Sequence, residues 1–384
     1  MYMKYVFKIE NDLISLDQKD FQKSEFVIKS SPYDYTVKFI NDKTLRSVLF
    51  QNRNINKQKN FLFVDKNVNK IYKEKLWKKD YTLTLIANEE NKTINSALLV
   101  IDKLNKNNFT KKEILISIGG GITQDVTAFA RSIFKRGIRW TYFPTTLLSM
   151  ADSCIGAKSA INYGGTKNLI GLFSAPKEVF INTTFLKTLD KRDVLSGYGE
   201  IIKLCIVGGE STIEKFKKVK DLQKGDMLFK IDDLIKTALI VKKAVITKDE
   251  FEINIRKALN YGHTIGHAIE PIVKYKIPHG IAVLIGMFIE NCISNEYGYL
   301  DSVSCNRLNK IIIDHLDKKS LSHLKSVTLT QLLIHMKKDK KNEFTNISFA
   351  VPIAIGHFKL LQLKNDQKLI FAIDNAFKNL FIHL

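Results

Sequence analysis

The sequence predicts an α/β domain on a parallel sheet over residues 1–190, then a mostly α-helical domain over 191–384, with the active site in the cleft between them. Three observations carry this. Short apolar runs alternate with helix-like segments from Phe61 to Pro144. A triple glycine, Gly119-Gly120-Gly121, stops one of those runs. Beyond residue 190 strand-like runs nearly vanish and helical spacing takes over. A chain of 384 residues is long enough for two cores.

Residues 1–60 are the least readable and count partly as an N-terminal extension. Within them Tyr35–Ile40 alternates like a strand. Phe61–Asp65 and Thr82–Ile86 are short apolar runs of the kind that fill a buried parallel strand. Ile94–Leu104 has helical spacing, with Ala97, Leu98, Ile101 and Leu104 apolar. Ile114–Ile118 is a third strand, Val126–Phe134 a helix, and Trp140–Phe143 a strand before Pro144. Strands alternating with helices put helices on both faces of a parallel sheet. In the second half, Val194–Val207, Met227–Thr247, Arg256–Val273, His279–Tyr297 and Leu308–Leu316 read as helices. Ile347–Pro352 is the one late strand.

Formal net charge is +21, from 60 Lys+Arg against 39 Asp+Glu. Such an excess favours anionic partners. The lysines are spread through runs such as Lys337-Lys338-Asp339-Lys340-Lys341, as on a solvated surface. No basic stretch is interleaved with aromatics, so a nucleic-acid partner is not expected and a small anionic substrate is. The four cysteines form no CxxC pair, which suits a reducing compartment. No apolar run reaches membrane-spanning length and the N-terminus lacks a signal-peptide pattern. A cytoplasmic protein without a membrane partner is the expectation.

Four motifs carry chemistry. His263 and His267 are four apart in an apolar, helix-like run, and His279 follows. At that spacing both imidazoles share a face, suited to a metal or an anion. Two satisfied histidines at a helix contact have the same spacing. Gly119–Gly121 puts bare backbone between a strand and a helix, where amides can approach a pyrophosphate; a tight turn without a ligand fits equally. Pro144 through Gly171 is dense in small, hydroxyl and amide residues with Lys158 and Lys167, as in loops that hold anions and sugar hydroxyls. Glu200 and Lys203 share a helix face, either as a surface-type ion pair or as the carboxylate of a two-His, one-carboxylate zinc site.

These motifs, in this order, resemble the 3-dehydroquinate synthase family of sugar-phosphate cyclases. The resemblance rests on Gly119-Gly120-Gly121 with Asp125, Arg136-Gly137, Pro144-Thr145-Thr146-Leu147-Leu148 with Asp152, Lys158, Lys167-Asn168, Glu200 with Lys203, Asn260 with Gly262-His263 and Gly266-His267, and His279-Gly280. It runs from about Phe61 to Gly356. It implies a Rossmann-like first domain, NAD+, one divalent metal (Zn2+, with Co2+ an alternative) and a homodimer.

For the metal it implies Glu200, His263 and His279, with His267 on the substrate side. For catalysis it implies Lys203, Lys242, His267 and Asp152. For substrate it implies Lys158, Asn168, Arg256, Asn260, Lys340 and Arg136, the last reaching a neighbouring subunit. For NAD+ it implies Asp65, Asn67, Glu89, Lys92, Gly120, Gly121, Asp125, Thr145, Thr146, Lys167 and Thr188.

The implied reaction is cyclisation of 3-deoxy-arabino-heptulosonate 7-phosphate to 3-dehydroquinate. A hydride leaves to NAD+ and returns, phosphate is eliminated, and an intramolecular aldol step closes the carbocycle. Three positions depart from the family's usual pattern. Gln124 stands where glycine is common, Ala157 where a second glycine is common, and Ile281 where glutamate is common. Gly-Ala-Lys also occurs in sister cyclases acting on other sugar phosphates, so such a cyclase is the alternative. Two other classes are a non-catalytic basic binding protein and a metal-dependent alcohol dehydrogenase. The first would leave the Glu200, His263 and His279 set accidental. The second has no use for Lys158, Lys203, Lys242 and Arg256 together.

Overall fold

Alternating apolar runs and helical segments build a seven-stranded sheet in the computed structural model. The structure describes residues 5–51, 60–76, 82–220, 231–337 and 346–382. The chain divides into two units, Gln22–Leu189 and Met1–Phe21 with Asp190–Leu384. In chain order the first strands are β1 (Val6–Ile9) and β2 (Asp12–Ser15), which belong to the second of these units.

Gln22–Leu189 then supplies β3 (Glu25–Ile28), β4 (Tyr35–Phe39), α1 (Asp42–Gln51), β5 (Phe61–Asp65), α2 (Lys66–Leu76), β6 (Thr82–Leu85) and α3 (Ile94–Lys106). It continues with β7 (Ile114–Gly119), α4 (Gly121–Ile133), β8 (Arg139–Pro144), β9 (Lys158–Tyr163), β10 (Thr166–Phe173) and β11 (Glu178–Ile181). The sheet order is β3-β4-β11-β8-β7-β5-β6, and every pairing except β3 with β4 is parallel. Phe61, Phe63, Trp140, Tyr142 and Phe143 are buried in its core. Strands buried on both faces need continuous apolar runs, which is why β5, β7 and β8 are legible. The α/β reading of this region holds.

The remaining unit carries α5 (Lys191–Val207), α6 (Glu210–Lys220), α7 (Ile231–Lys248), α8 (His263–Ile272), α9 (His279–Glu296), α10 (Ser302–Ile313), α11 (Lys318–Leu324) and α12 (Leu329–Lys337). It ends with β12 (Asn346–Ala354), β13 (His357–Lys364) and α13 (Gln367–Ile382). α9 is apolar around its circumference, Ile281 to Ile289, and is the buried centre of this unit.

Four details differ from the sequence-based reading. Ile347–Pro352, expected as the one late strand, lies in β12 and pairs antiparallel with a second, β13. Residues 1–21 group with Asp190–Leu384, whereas the reading placed them with the α/β half. The reason is pairing: β1 lies parallel to β13 and antiparallel to β2, in a sheet of order β12-β13-β1-β2. The block after Pro144, read as polar loop, contains the antiparallel pair β9 and β10. The segment Arg256–Val273, read as one helix, is a 3-10 turn over Ile255–Asn260 followed by α8. Gly262 breaks it, at φ +78°.

Candidate functional site

Two helices of the larger helical unit approach so closely that only glycine fits between them. A Cβ on Gly199 of α5 would stand 2.2 Å from the carbonyl oxygen of Gly280 on α9. A Cβ on Gly280 would stand 1.8 Å from that of Ser196. Ser196 Oγ also accepts the Gly280 N–H at 3.0 Å, which ties down the start of α9. The neighbours of these glycines are Glu200 and His279, so the close crossing brings their side chains together.

Glu200 is wholly buried. Its Oε1 lies 3.2 Å from Nε2 of His279 and 3.6 Å from Nε2 of His263. Its Oε2 contacts the ammonium of Lys203, which is itself 2% exposed. Burial alone would raise the Glu200 pKa. The Lys203 charge and the His279 contact outweigh it and hold the carboxyl well below its usual range, so it is ionised. Burial likewise would lower His279, but the charge of Glu270 and the acceptor oxygens of Glu200 and Glu270 beside its ring nitrogens raise it to about 9. Without a metal the ring is therefore protonated at neutral pH, and a metal must displace that proton.

The other ring nitrogens are committed elsewhere. Nδ1 of His263 is 3.1 Å from the carbonyl oxygen of Tyr261, an acceptor only, so it carries a proton. Nδ1 of His279 is 3.3 Å from Oε1 of Glu270. Both rings thus present Nε2 toward Glu200. A carboxylate or carbonyl behind each imidazole is the usual way of fixing a metal ligand's orientation and basicity.

His267 completes the group. Its ring centroid is 5.1 Å from that of His263 and 5.7 Å from that of His279, and one ligand atom from each of the three lies within 4.8 Å of the others. A tetrahedral ion with bonds of about 2.0–2.1 Å needs neighbouring donors about 3.3–3.4 Å apart. The Glu200 to His279 and Glu200 to His263 separations fit that requirement. The Lys203 ammonium meets Oε2 of Glu200, and Oε1 faces two imidazole Nε2 atoms. A buried carboxylate that faces two imidazole Nε2 atoms has the chemistry of a metal ligand.

The same unit holds two more buried cations. Lys242 is on α7, which packs on α5. Arg256 and Asn260 are in the 3-10 turn that packs on α5, α7, β12 and β13. Arg256 is 2% exposed; its guanidinium donates to the carbonyl of Glu250, and Asn260 donates to Glu252. Asp249 shapes this turn by accepting backbone N–H groups of Ile253, Asn254 and Arg256 at 2.8–3.0 Å. Lys340 lies outside the described residues.

A second set of expected residues forms in Gln22–Leu189. The register pairs Val64 with Ile118 and Gly119 with Pro144, so β5, β7 and β8 end side by side. Asp65 and Asn67, Gly120 and Gly121, and Thr145 and Thr146 follow those three ends. Such aligned carboxyl ends are where open parallel sheets bind ligands. Asp65 Oδ1 also caps α2, accepting N–H groups of Asn67 and Val68 at 2.7 and 3.0 Å. The N-cap of α4 is Gly120, which brings no capping side chain, and its Cβ would meet Thr146 at 3.0 Å.

Beside it, Lys92 Nζ lies 2.6 Å from both Asp125 Oδ2 and Asn168 Oδ1. Burial raises the Asp125 pKa and the Lys92 charge opposes it, with a net rise. Asn162 links the cluster, donating to Glu89 Oε1 at 2.9 Å and accepting the Asn168 N–H at 2.9 Å. Asp152 sits in a π-helical turn over Ser149–Ser153, a geometry frequent at functional sites. Gln124 clamps that turn to α4 through two 2.8 Å hydrogen bonds with Ser153. Lys158 is exposed at the start of β9, and Lys167 is half-buried on β10. Thr188 hydrogen-bonds Tyr72, and Arg136 is exposed past the far end of α4, at φ +60°.

Sequence reasoning missed Glu270, the carbonyl of Tyr261, and Asp249. Glu270 carried a signal, being three residues past His267 on the same apolar helix. The carbonyl of Tyr261 carried none, because backbone acceptors leave no trace in residue type.

The sequence matches the family 3-dehydroquinate synthase N-terminal over residues 82–196 and 3-dehydroquinate synthase C-terminal over 197–342. It is 38% identical to a 3-dehydroquinate synthase of Clostridium tetani over 326 residues, covering 82% of this chain and 85% of that protein. A solved 2-deoxy-scyllo-inosose synthase, complexed with carbaglucose-6-phosphate, NAD+ and Co2+, has TM-score 0.77 at 21% identity, covering 91% of this chain and 99% of the other. A 2-epi-5-epi-valiolone synthase from Streptomyces hygroscopicus, with NAD+ and Zn2+, has TM-score 0.73 at 21% identity, covering 94% and 100%.

Proposed function

The chain belongs to the 3-dehydroquinate synthase family, and from that premise we propose that it converts 3-deoxy-arabino-heptulosonate 7-phosphate to 3-dehydroquinate, using NAD+ and one divalent metal. It is an enzyme, a phosphate-eliminating carbon–oxygen lyase of the sugar-phosphate cyclases. The buried Glu200 carboxylate facing Nε2 of both His263 and His279, with each Nδ1 held from behind, supports the metal, and the buried cations Lys203, Lys242 and Arg256 carry the choice of an acidic sugar phosphate.

Glu200, His263 and His279 hold the metal, with zinc or cobalt suited to this mixed oxygen and nitrogen set. Asp65, Asn67, Gly120, Gly121, Thr145, Thr146, Glu89, Lys92, Asp125, Lys167 and Thr188 serve NAD+. The bare N-terminus of α4 supports this, since backbone N–H groups there favour a pyrophosphate. When bound, the metal supplies Lewis acidity and NAD+ a reversible hydride acceptor.

The protein's own residues bind and orient a dianionic sugar acid. Lys158, Lys203, Lys242 and Arg256 supply fixed cations for carboxylate and phosphate. Asp152, Asn168, Asn260 and His267 hydrogen-bond hydroxyls, and Lys203 and Lys242 hold those that exchange protons. Burial of Lys203, Lys242 and Arg256 supports this, because buried cations are retained where an anion meets them. A homodimer is part of the proposal: Arg136 lies just before β8, at the end of the strands opposite their aligned carboxyl ends, and so serves a neighbouring subunit's site.

The test is turnover by the full chain with NAD+, Zn2+ or Co2+, and the heptulosonate phosphate. Phosphate release matched by 3-dehydroquinate, with no net NADH, is expected. Release from sedoheptulose 7-phosphate or glucose 6-phosphate, with none from the heptulosonate, overturns the substrate in favour of a sister cyclase.

A further inference from the structure

α9 is apolar from Ile281 to Ile289, yet its next two residues, Glu290 and Asn291, are wholly buried polar groups. A carboxylate in such surroundings is costly unless a specific donor meets it. Here the donors come from the turn that precedes the metal-facing histidine. Glu290 Oε2 accepts the N–H of Gly262 at 2.6 Å. Asn291 Oδ1 accepts the hydroxyl of Tyr261, and its amide donates to Asn309 Oδ1 at 2.8 Å. Two consecutive residues of α9 therefore grip two consecutive residues of the turn, and His263 is next.

The turn has no slack. Gly262 is left-handed, at φ +78° and ψ −13°, and a Cβ there would lie 2.4 Å from the carbonyl oxygen of Val283. One helical turn before Glu290, a Cβ on Gly286 would lie 1.9 Å from the carbonyl oxygen of Gly262. The carbonyl of Tyr261 in turn takes the Nδ1 proton of His263. The peptide joining Tyr261 to Gly262 thus carries both the acceptor that orients His263 and the N–H that Glu290 holds. Tilting that peptide would swing Nε2 of His263 away from Glu200.

We infer that Glu290 is a positioning residue for the metal site, fixing the Tyr261–Gly262 peptide and through it the ring of His263. The inference rests on the metal reading above. It assigns Glu290 no contact with substrate. What matters is an acceptor at the reach of Oε2, so glutamine can replace it and a shorter aspartate cannot.

The experiment compares the full-length parent with Glu290→Gln, Glu290→Asp and Glu290→Leu. Co2+ and Zn2+ affinities are measured by competition with a chelating dye at a temperature where each protein is folded, and the visible bands of the Co2+ form are recorded. Glu290→Gln should stay within about 3-fold of the parent and keep its Co2+ spectrum, while Glu290→Asp should bind about 10-fold more weakly with shifted bands, the range seen when support behind a ligand is lost. Glu290→Leu should lose more; should it not fold, the Gln and Asp pair decides. A Glu290→Asp protein with parental affinity and spectrum overturns the inference even if its thermal midpoint falls. A parent that binds neither ion overturns the metal reading beneath it.

Discussion

Nδ1 of His279 lies 3.3 Å from Oε1 of Glu270, and that contact decides which ring nitrogen faces Glu200. Glu270 is on α8, 3% exposed, so one helix carries both His263 and the support for His279. Glu270→Gln keeps an acceptor but removes the charge; Glu270→Ala removes both. Metal affinity should fall roughly 10-fold in the first and up to about 100-fold in the second, read by chelator competition. Equal affinity in all three proteins would show that His279 needs no such support.

The three imidazoles are close enough that geometry alone lets any pair bind an ion. Oε1 of Glu200 stands opposite Nε2 of His263 and of His279, and the proposal gives those two the metal and His267 the substrate. His263→Ala should purify without metal under conditions that load the parent. His267→Ala should keep close to one metal per chain while kcat falls by about 100-fold or more, the scale of a lost group acting in the transition state. Metal content by elemental analysis, set against turnover, checks both. A metal-free His267→Ala protein would move that residue into the ligand set.

Much of this was legible in the sequence, and the failures have physical causes. β5, β7 and β8 are buried on both faces, so their residues are continuously apolar and unmistakable. β9 buries only alternate positions and β10 none fully, both among lysines and asparagines, and so they read as loop. The pairing of β1 with β13 joins residues far apart in the chain, and no local pattern reports it. Histidine spacing located His263 and His267 on one helix face, but helical periodicity carries no sign of Glu200 arriving from α5 or of His279 arriving from α9. Gln124, a departure from the family pattern, has a structural reason in its clamp on Ser153, which only the fold reveals.

Asp249 accepts three backbone N–H groups from the segment that ends in Arg256. Burial raises its pKa, but those bonds and the Arg256 charge outweigh it and hold the carboxyl below its usual value. A depressed folded pKa gives stability that is fully present above the unfolded value of about 3.9 and is lost as pH falls through the folded one. Asp249→Asn should therefore destabilise by about 1–3 kcal/mol at pH 7. The urea-midpoint gap should stay level from pH 8 to about 5 and shrink below that, as the parent protonates. Because the turn carries Arg256 and Asn260, KM for the anionic substrate should rise more than kcat falls. A gap independent of pH down to unfolding would remove the carboxylate from this account.

Ala157 occupies a left-handed conformation, φ +56°, at a buried position just before Lys158. The resemblance would put glycine there, and the backbone agrees, because a Cβ in this region costs about 1–2 kcal/mol. Glycine removes that strain but adds freedom to the unfolded chain, worth about 0.4–1 kcal/mol in the other direction. The two leave Ala157→Gly more stable by about 0.5–1 kcal/mol, or about 1–3 °C in the thermal midpoint. If the alanine serves only as a tolerated substitution, turnover with each sugar phosphate should keep its ratio. A changed ratio of kcat/KM between the heptulosonate and sedoheptulose phosphates would mean that the strained residue sets where Lys158 meets the substrate.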